Sequence, residues 1–397
     1  MKRIYISVIA TCLIVTALFF AFYQFSGVFA RRDSLKIGFI YDNDESTCYT
    51  YNFSLAKEAL EKRYGDDVEI LTRSNVPENE VEEPVRQLVA KGCELIFTNS
   101  YSEDILRLAV EYPNVEFCQV SYTNSASPNA PRNYHTFKGE IYQGRYVTGV
   151  IAGMKLRQLI EQGMIAPEEA KLGFVAAFAD SEIISGFTAF LLGARSVVPE
   201  ATMRVRYTGT WSSYSLEKSA AEALIDEGCL ILSQHTDTVG PALACEEALP
   251  EKKVYFVGYN QSTQEIAPSV SLVATRVNWT PYITAATEAV MRYRTIEKEV
   301  PGRAHGNDLS AGFDMGWVEI LGLNDPICAE GTREIANEMI DEFKHGHVGS
   351  IFRGDYIGID PSDPGDTIDL KKGFEENAAS SYPAFHWLLE DIVIIDN

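Results

Sequence analysis

Aromatic residues stand beside carboxylates or amides at several separated points of this chain. Asp42, Asn43, Asp44, Tyr49, Tyr51 and Asn52 follow one β-branched run, and Asn99, Ser100 and Tyr101 follow another. Further along come Trp211, Ser212 and Tyr214, then Gln234, His235, Thr236 and Asp237, then Tyr259 and Asn260, and last Asn278 and Trp279. Flat aromatic faces suit a planar ring or a sugar, while Asp and Asn accept or donate hydrogen bonds along its edge. Taken singly, each residue has an ordinary explanation. Asp237 reads as a helix N-cap, and a lone Trp as core. The recurrence at equivalent places is what points to a small-molecule site.

Catalytic patterns are thin. The chain holds no GxSxG, HExxH, P-loop or GxGxxG. His345-Gly346-His347 offers two metal donors with no third nearby. His235 beside Asp237 suits a polar lining better than acid–base work. Neither enzyme activity nor a metal or cofactor is expected.

These residues need a scaffold, and the hydrophobic pattern supplies one. Strands are expected at residues 36–41, 68–71, 94–98 and 115–120, with helices at 52–63, 80–90 and 103–111; Gly92 would close the second helix. A Ser/Asn/Pro-rich loop at 121–133 interrupts the rhythm. A long helix at 140–161 carries Gly144, Gly149 and Gly153, read as close packing against a sheet. The alternation restarts with strands at 171–176, 202–208, 229–233, 253–258 and 271–277 and helices at 183–197, 216–226 and 239–249. Alternating strands and helices imply βαβ units and parallel sheets, whose ligands bind beyond the carboxyl ends of the strands. Two such runs make two doubly wound α/β lobes. After Pro301 the pattern loosens, and Pro361 to Pro364 marks a turn-rich tail.

The chain has 397 residues, with 56 Asp+Glu against 34 Lys+Arg and a formal charge of −22. So negative a surface repels phosphate backbones, and nucleic acid is excluded as a partner. Residues 1–30 differ from the rest. Lys2 and Arg3 precede an uncharged run from Tyr5 to Phe29, long enough to cross a ~30 Å hydrocarbon core as a helix. An uncleaved anchor, a leader cut after Ala30, and a lipoprotein leader using Cys12 are the three readings, with the anchor favoured by length. Each puts the body outside the cytoplasm. The other cysteines (Cys48, Cys93, Cys118, Cys229, Cys245 and Cys328) are scattered without a CxxC. Buried thiols are expected, with a Cys93–Cys118 disulfide as the alternative.

Several stretches together resemble the basic membrane protein (BMP, PnrA-like) family of ABC-transporter substrate-binding proteins. The most specific runs from Tyr142-Gln143-Gly144-Arg145-Tyr146 through Val147-Thr148-Gly149-Val150 to Ile151-Ala152-Gly153. Gly173-Phe174-Val175-Ala176-Ala177-Phe178 and Gly186-Phe187-Thr188-Ala189-Phe190 follow. Thr210-Trp211-Ser212-Ser213, Gln234-His235-Thr236-Asp237 and Asn278-Trp279-Thr280-Pro281-Tyr282 match the branch bearing tryptophans. The likeness covers about residues 35–395.

The resemblance implies a type I periplasmic-binding-protein fold: two lobes with a central cleft, preceded here by an N-terminal hydrophobic helix. It also implies a purine nucleoside or purine base as ligand, captured by hinge closure and delivered to an ABC permease. By motif, Asp42 and Asn52 would hold the ligand's polar edge. Tyr51 stands where the family has a stacking Phe, and Trp211 would supply the opposing ring. Asn260 occupies a position that is often Asp, which leaves base against nucleoside open. Arg276 and Val277 compete for the place of a family Lys, and Ser121 replaces a family Asp.

The expected ligand-binding set is Asp42, Tyr49, Tyr51, Asn52, Ser100, Tyr101, Trp211, Asp237, Asn260 and Trp279. The expected division is 1–34 as leader or anchor, 35–140 with 278–325 as lobe 1, and 141–277 with 326–397 as lobe 2. A monomer on the outer face of the membrane, held through its N-terminal segment, completes the expectation. A membrane-anchored ligand sensor and a sugar-binding receptor are the alternatives.

Overall fold

The computed structural model describes residues 31–120 and 129–395. The apolar N-terminal run, and with it the choice among anchor, cleaved leader and lipoprotein, lies outside the described residues, as does Ser121. Among the described residues no helix is long and apolar enough to cross a membrane.

The chain begins with β1 (Leu35–Ile40), α1 (Cys48–Tyr64), β2 (Val68–Arg73), α2 (Glu82–Ala90), β3 (Leu95–Thr98), α3 (Asp104–Glu111), β4 (Glu116–Gln119) and β5 (Tyr134–Gly139). Next come α4 (Ile141–Glu161), β6 (Lys171–Ala176), α5 (Ser181–Arg195), β7 (Thr202–Tyr207) and α6 (Tyr214–Asp226). They are followed by β8 (Ile231–His235), α7 (Gly240–Ala248), β9 (Tyr255–Tyr259) and β10 (Ser271–Val277). The last part holds α8 (Thr280–Met291), α9 (Ile296–Glu299), β11 (Arg303–His305), β12 (Asp308–Ala311), β13 (Val318–Leu321) and α10 (Thr332–Lys344). The tail adds β14 (Ile357–Ile359), β15 (Thr367–Asp369), β16 (Leu388–Leu389) and β17 (Ile392–Ile394).

Two seven-stranded sheets form the body. The first runs β11-β12-β5-β4-β3-β1-β2 and the second β13-β10-β9-β8-β6-β7-β17. All pairings are parallel except β11 with β12 and β13 with β10. Strands β3, β5 and β8 are buried along their whole length, as parallel strands covered on both faces should be. The chain passes between the lobes after β5, after β10 and after β12. Glu140 N–H donates to the Ala311 carbonyl, and Asn278 N–H to that of Trp317, both at 2.8 Å, so the crossings are laced to one another.

The structure corrects the sequence reading in four places. Strand β13 pairs with β10 in the second sheet, so the stretch 278–325 does not belong wholly to lobe 1. The structure places β5 at 134–139, where the sequence pattern assigns no element, between the loop ending at 133 and the helix starting at 140, because His135 and Lys138 interrupt the apolar run. Both are buried and ion-paired, His135 with Glu116 and Glu297 and Lys138 with Glu182. Gly149 and Gly153 pack against α5 and not against a sheet: an added Cβ would meet the Phe190 and Ala194 carbonyls, whereas Gly144 does face β10 at Thr275. Beyond Pro301 the chain is ordered, closing the first sheet with β12 and ending in the second with β17. All six described cysteines are free thiols.

Candidate ligand-binding site

The carboxyl ends of the parallel strands from both lobes meet at one small cavity. Asp42, Tyr49, Glu78 and Tyr101 line it from the first lobe, and Glu182, Trp211, His235, Asp237, Tyr259 and Asn260 from the second. It encloses about 40 Å³, far below the ~300–1,000 Å³ usual for small-molecule pockets. The two lobes are close together here, in contact through Asn52–Asn260 and Lys138–Glu182. A wider hollow of about 690 Å³, bordered by Arg32, Pro113 and Tyr293, lies away from the carboxyl ends of the strands, whereas one of about 430 Å³ borders Glu140 and Ala311, at the ends of β5 and β12.

Local structure explains how each lining residue is held. Helix α1 starts at Cys48, four residues earlier than expected, with the Thr47 hydroxyl accepting from Thr50 N–H. That places Tyr49 and Tyr51 on the helix, not on a loop. At ~100° per residue they point nearly opposite ways. Tyr49 faces inward, donating from its hydroxyl to the Asn99 carbonyl at 3.2 Å. Tyr51 shares the outer face with Glu58 and is 44% exposed. Asp42 is fixed by its own N–H, which donates to Asn99 Oδ1 at 2.9 Å, and by the Thr50 hydroxyl donating to its carboxylate at 3.1 Å.

On the other side, buried Glu217 ties two strand-end loops together. It accepts from Ser213 N–H at 2.9 Å and from the Thr238 hydroxyl at 2.7 Å. Asp237 N–H donates to the Trp211 carbonyl at 2.9 Å, so Trp211 and Asp237 are carried as one unit. Asp237 does not cap the helix after it; Val239 is the N-cap residue and gives no side-chain cap. The Asp237 carboxylate instead accepts the Cys48 thiol across the cleft at 3.5 Å. Asn260 adopts a left-handed φ of 61°, a conformation Asn tolerates better than most residues. Asn52 Nδ2 donates to the Asn260 carbonyl at 2.9 Å and to its Oδ1 at 3.1 Å, leaving the Asn260 Nδ2 without a hydrogen-bond partner.

A buried ion pair also joins the lobes. Lys138 of β5 meets Glu182 of α5 at 2.8 Å, their side chains 2% and 8% exposed. The Lys138 ammonium also donates to the Tyr101 hydroxyl at 3.1 Å and lies 4.6 Å from the Tyr382 ring centroid. Beneath the cavity the Arg145 guanidinium sits 4.0 Å over the Tyr259 ring. It donates to Ser233 at 3.3 Å, while its Nε and Nη2 have no hydrogen-bond partner.

Burial governs the protonation states. It pushes the Asp237 carboxyl up to about 8, with the neighbouring Asp42 charge adding to it. The carboxyls of Asp42 and Glu182 also rise through burial, against hydrogen bonds from Asn43 and Thr50 in one case and the Lys138 charge in the other. Burial, ahead of the Arg145 and Lys138 charges, pulls His235 well below the usual imidazole value, so its ring is neutral. Arg145 is lowered by burial to about 10 and stays a cation at neutral pH. The lining thus offers aromatic faces, carboxyl oxygens and the Asn260 amide.

Of the residues expected from sequence, Asp42, Tyr49, Tyr101, Trp211, Asp237 and Asn260 line the cavity. Tyr51 does not, for the helical reason given. Trp279 is 3% exposed but lies in the first-lobe core, with its ring 5.8 Å from Phe53 and 5.7 Å from Phe137. Asn52 and Ser100 are buried behind the lining. Glu78 and Glu182 were missed, because neither follows a strand in the aromatic-plus-amide pattern. His235 and Tyr259, outside the expected set, also line the cavity from the ends of β8 and β9.

Two doubly wound sheets, three crossings and a cleft at the strand ends define a type I periplasmic-binding-protein fold. Solved solute-binding proteins share it: one from Aeropyrum pernix has a TM-score of 0.63 at 13% identity, covering 80% of this chain and 93% of its own. Another from Conexibacter woesei has a TM-score of 0.60 at 18% identity, covering 80% and 98%. The chain belongs to the Bmp family, the PnrA-like substrate-binding proteins of ABC transporters, whose model matches residues 37–344. Such proteins work outside the cytoplasm, binding a small molecule for a permease without chemically changing it. A purine-binding protein of Brucella abortus is 29% identical over 273 residues, 68% of this chain and 72% of its own. A Haloferax volcanii protein named as an ABC transporter glucose-binding protein is 28% identical over 237 residues, 59% of this chain and 55% of its own.

Proposed function

We propose that this protein captures a purine nucleoside or free purine base in the cleft and presents it to its permease on the outer face of the membrane, tethered through residues 1–30. The observation that carries this reading is the cavity's composition: Trp211, Tyr49, Tyr101 and Tyr259 supply ring faces, and Asp42, Asp237 and Asn260 supply edge partners from opposite lobes. Aromatic faces grip a planar heterocycle, and the carboxyl and amide groups match its ring nitrogens and exocyclic groups. The name of the Brucella relative supports the same ligand class. Capture works by hinge closure, the lobes parting to admit the ligand and shutting through the Asn52–Asn260, Cys48–Asp237 and Lys138–Glu182 contacts.

A sugar is the second reading, favoured by the Haloferax relative and by the ability of aromatic rings to stack on pyranose faces. Isothermal titration with adenosine, guanosine, inosine, adenine, hypoxanthine and glucose decides between them. Binding of a purine with glucose silent is the expected result. Glucose binding with every purine silent overturns it.

A further inference from the structure

We propose a divalent transition-metal site in the C-terminal tail, formed by Asp360, Asp366 and His386. The three residues lie beyond residue 344, outside the region matched by the family, and none of them lines the ligand cleft. Asp360 and Asp366 flank the turn between β14 and β15, while His386 precedes β16, which pairs with the other edge of β14. Among the described residues this is the one group of three His, Cys, Asp or Glu side chains whose donor atoms all lie within 4.8 Å of one another.

The orientation of His386 is the decisive feature. Its Nδ1 lies 2.8 Å from the Ala384 carbonyl, which can only accept, so Nδ1 carries the proton and donates. A backbone carbonyl holding the far ring nitrogen is the usual support of a metal-ligating histidine. Nε2 is thereby aimed at Asp366 Oδ2 at 3.3 Å and Asp360 Oδ2 at 3.6 Å. Nε2 thus faces two carboxylate oxygens, a set of three donors that one divalent cation between them would satisfy. Metal bonds of ~2.0–2.2 Å at tetrahedral angles set neighbouring donors ~3.3–3.6 Å apart, which the two observed separations match. Asp360 is held in place through its other oxygen, which accepts from Ser362 N–H at 2.7 Å and from the Ser362 hydroxyl at 2.6 Å.

One nitrogen and two carboxylate donors, with positions left for water, suit Zn²⁺, Co²⁺ or Mn²⁺. The ion would staple the β14–β15 turn to the segment entering β16 and β17. The His386 ring lies 3.8 Å from that of Trp387, which places a fluorophore beside the ion.

The test is titration of the full-length chain, stripped with a chelator, with Co²⁺ followed by Zn²⁺. Expected are a visible Co²⁺ absorption band saturating at one ion per chain, quenching of tryptophan emission, and loss of the band as Zn²⁺ displaces Co²⁺. His386→Ala and Asp366→Asn should each weaken Co²⁺ binding by more than ~100-fold, beyond the cost of losing an outer hydrogen-bond partner. Near-UV circular dichroism checks that both variants remain folded. Absence of a band overturns the proposal, leaving the three side chains as hydrogen-bond partners only. So does a band that survives His386→Ala and disappears on His347→Ala.

Discussion

Replacing Glu182 by Gln should open the cleft. The Lys138–Glu182 pair bridges the lobes at 2.8 Å with both side chains nearly out of solvent. Removing one partner of a buried ion pair costs ~3–5 kcal/mol, because the other charge stays buried and unpaired. Here the low end applies, since Lys138 keeps the Tyr101 hydroxyl and the Tyr101 and Tyr382 ring faces. The penalty also has an escape that a core pair lacks: when the lobes part, the ammonium regains water. Most of the ~3 kcal/mol should therefore appear as loss of the closed form, a fall of roughly 100-fold in its ratio to the open one. The assay is small-angle X-ray scattering of the chain without ligand, with thermal unfolding measured in parallel. A larger radius of gyration at nearly constant Tm is expected. Replacing both partners together, as Lys138→Met with Glu182→Leu, should restore compactness, since apolar substitutes for a buried pair are often neutral. The reasoning is refuted if the Glu182→Gln curve superimposes on the parent. It is refuted equally if Tm collapses with no change in shape, which would make the pair a support of the fold and not a latch between lobes.

Trp211→Ala should weaken purine binding by ~1–3 kcal/mol, one lost stacking contact, while Tyr51→Ala, on the exposed face of α1, should leave affinity unchanged; titration calorimetry reads both. Closure should depend on pH through Asp237, whose carboxyl rises to about 8 in the closed cleft from an ordinary 3.8. Closing takes up a proton between those values, so the closed form is favoured fully below the lower value and loses that support as pH rises through about 8. Scattering at pH 5.5 and 9 should show the difference, and Asp237→Asn should remove it. Gly149→Ala drives a methyl group into the Phe190 carbonyl and should lower stability by ~1–3 kcal/mol, as overpacking does, seen as a lower Tm; a Tm equal to the parent's would show that α4 and α5 can move apart freely.

What was legible in the sequence divides along physical lines. Strands with unbroken apolar runs were found closely: β6 and β10 fall at the expected residues, because burial on both faces leaves a signal that local pattern carries. Strand β5 was hidden because its buried charges are neutralised by residues distant in sequence, such as Glu297 for His135. The strand-end rule brought Asp42, Tyr101, Trp211, Asp237 and Asn260 to the cleft without any knowledge of how the lobes face each other. It misplaced Tyr51 and Trp279, since a side chain's direction depends on where a helix starts and what packs beneath it. Glu182 escaped because it enters the site from the first turn of a helix, and its partner Lys138 lies on a strand that the sequence pattern does not reveal.

The interleaving of the two sheets sets an order on how the protein can be assembled. Thr136 of β5 and Asp308 of β12 share a buried hydrogen bond across 172 positions of sequence, and β17, at the far end of the chain, closes the edge of β7. Strands β6 to β10 are contiguous and can pair as they emerge. The first lobe must wait with one flank of β5 uncovered until the second is largely made. Long-range parallel pairing of this kind is slow and leaves sticky edges exposed meanwhile. The chain therefore meets its hardest folding step after its middle has already settled, and shortening it from the C-terminus would leave both lobes unfinished.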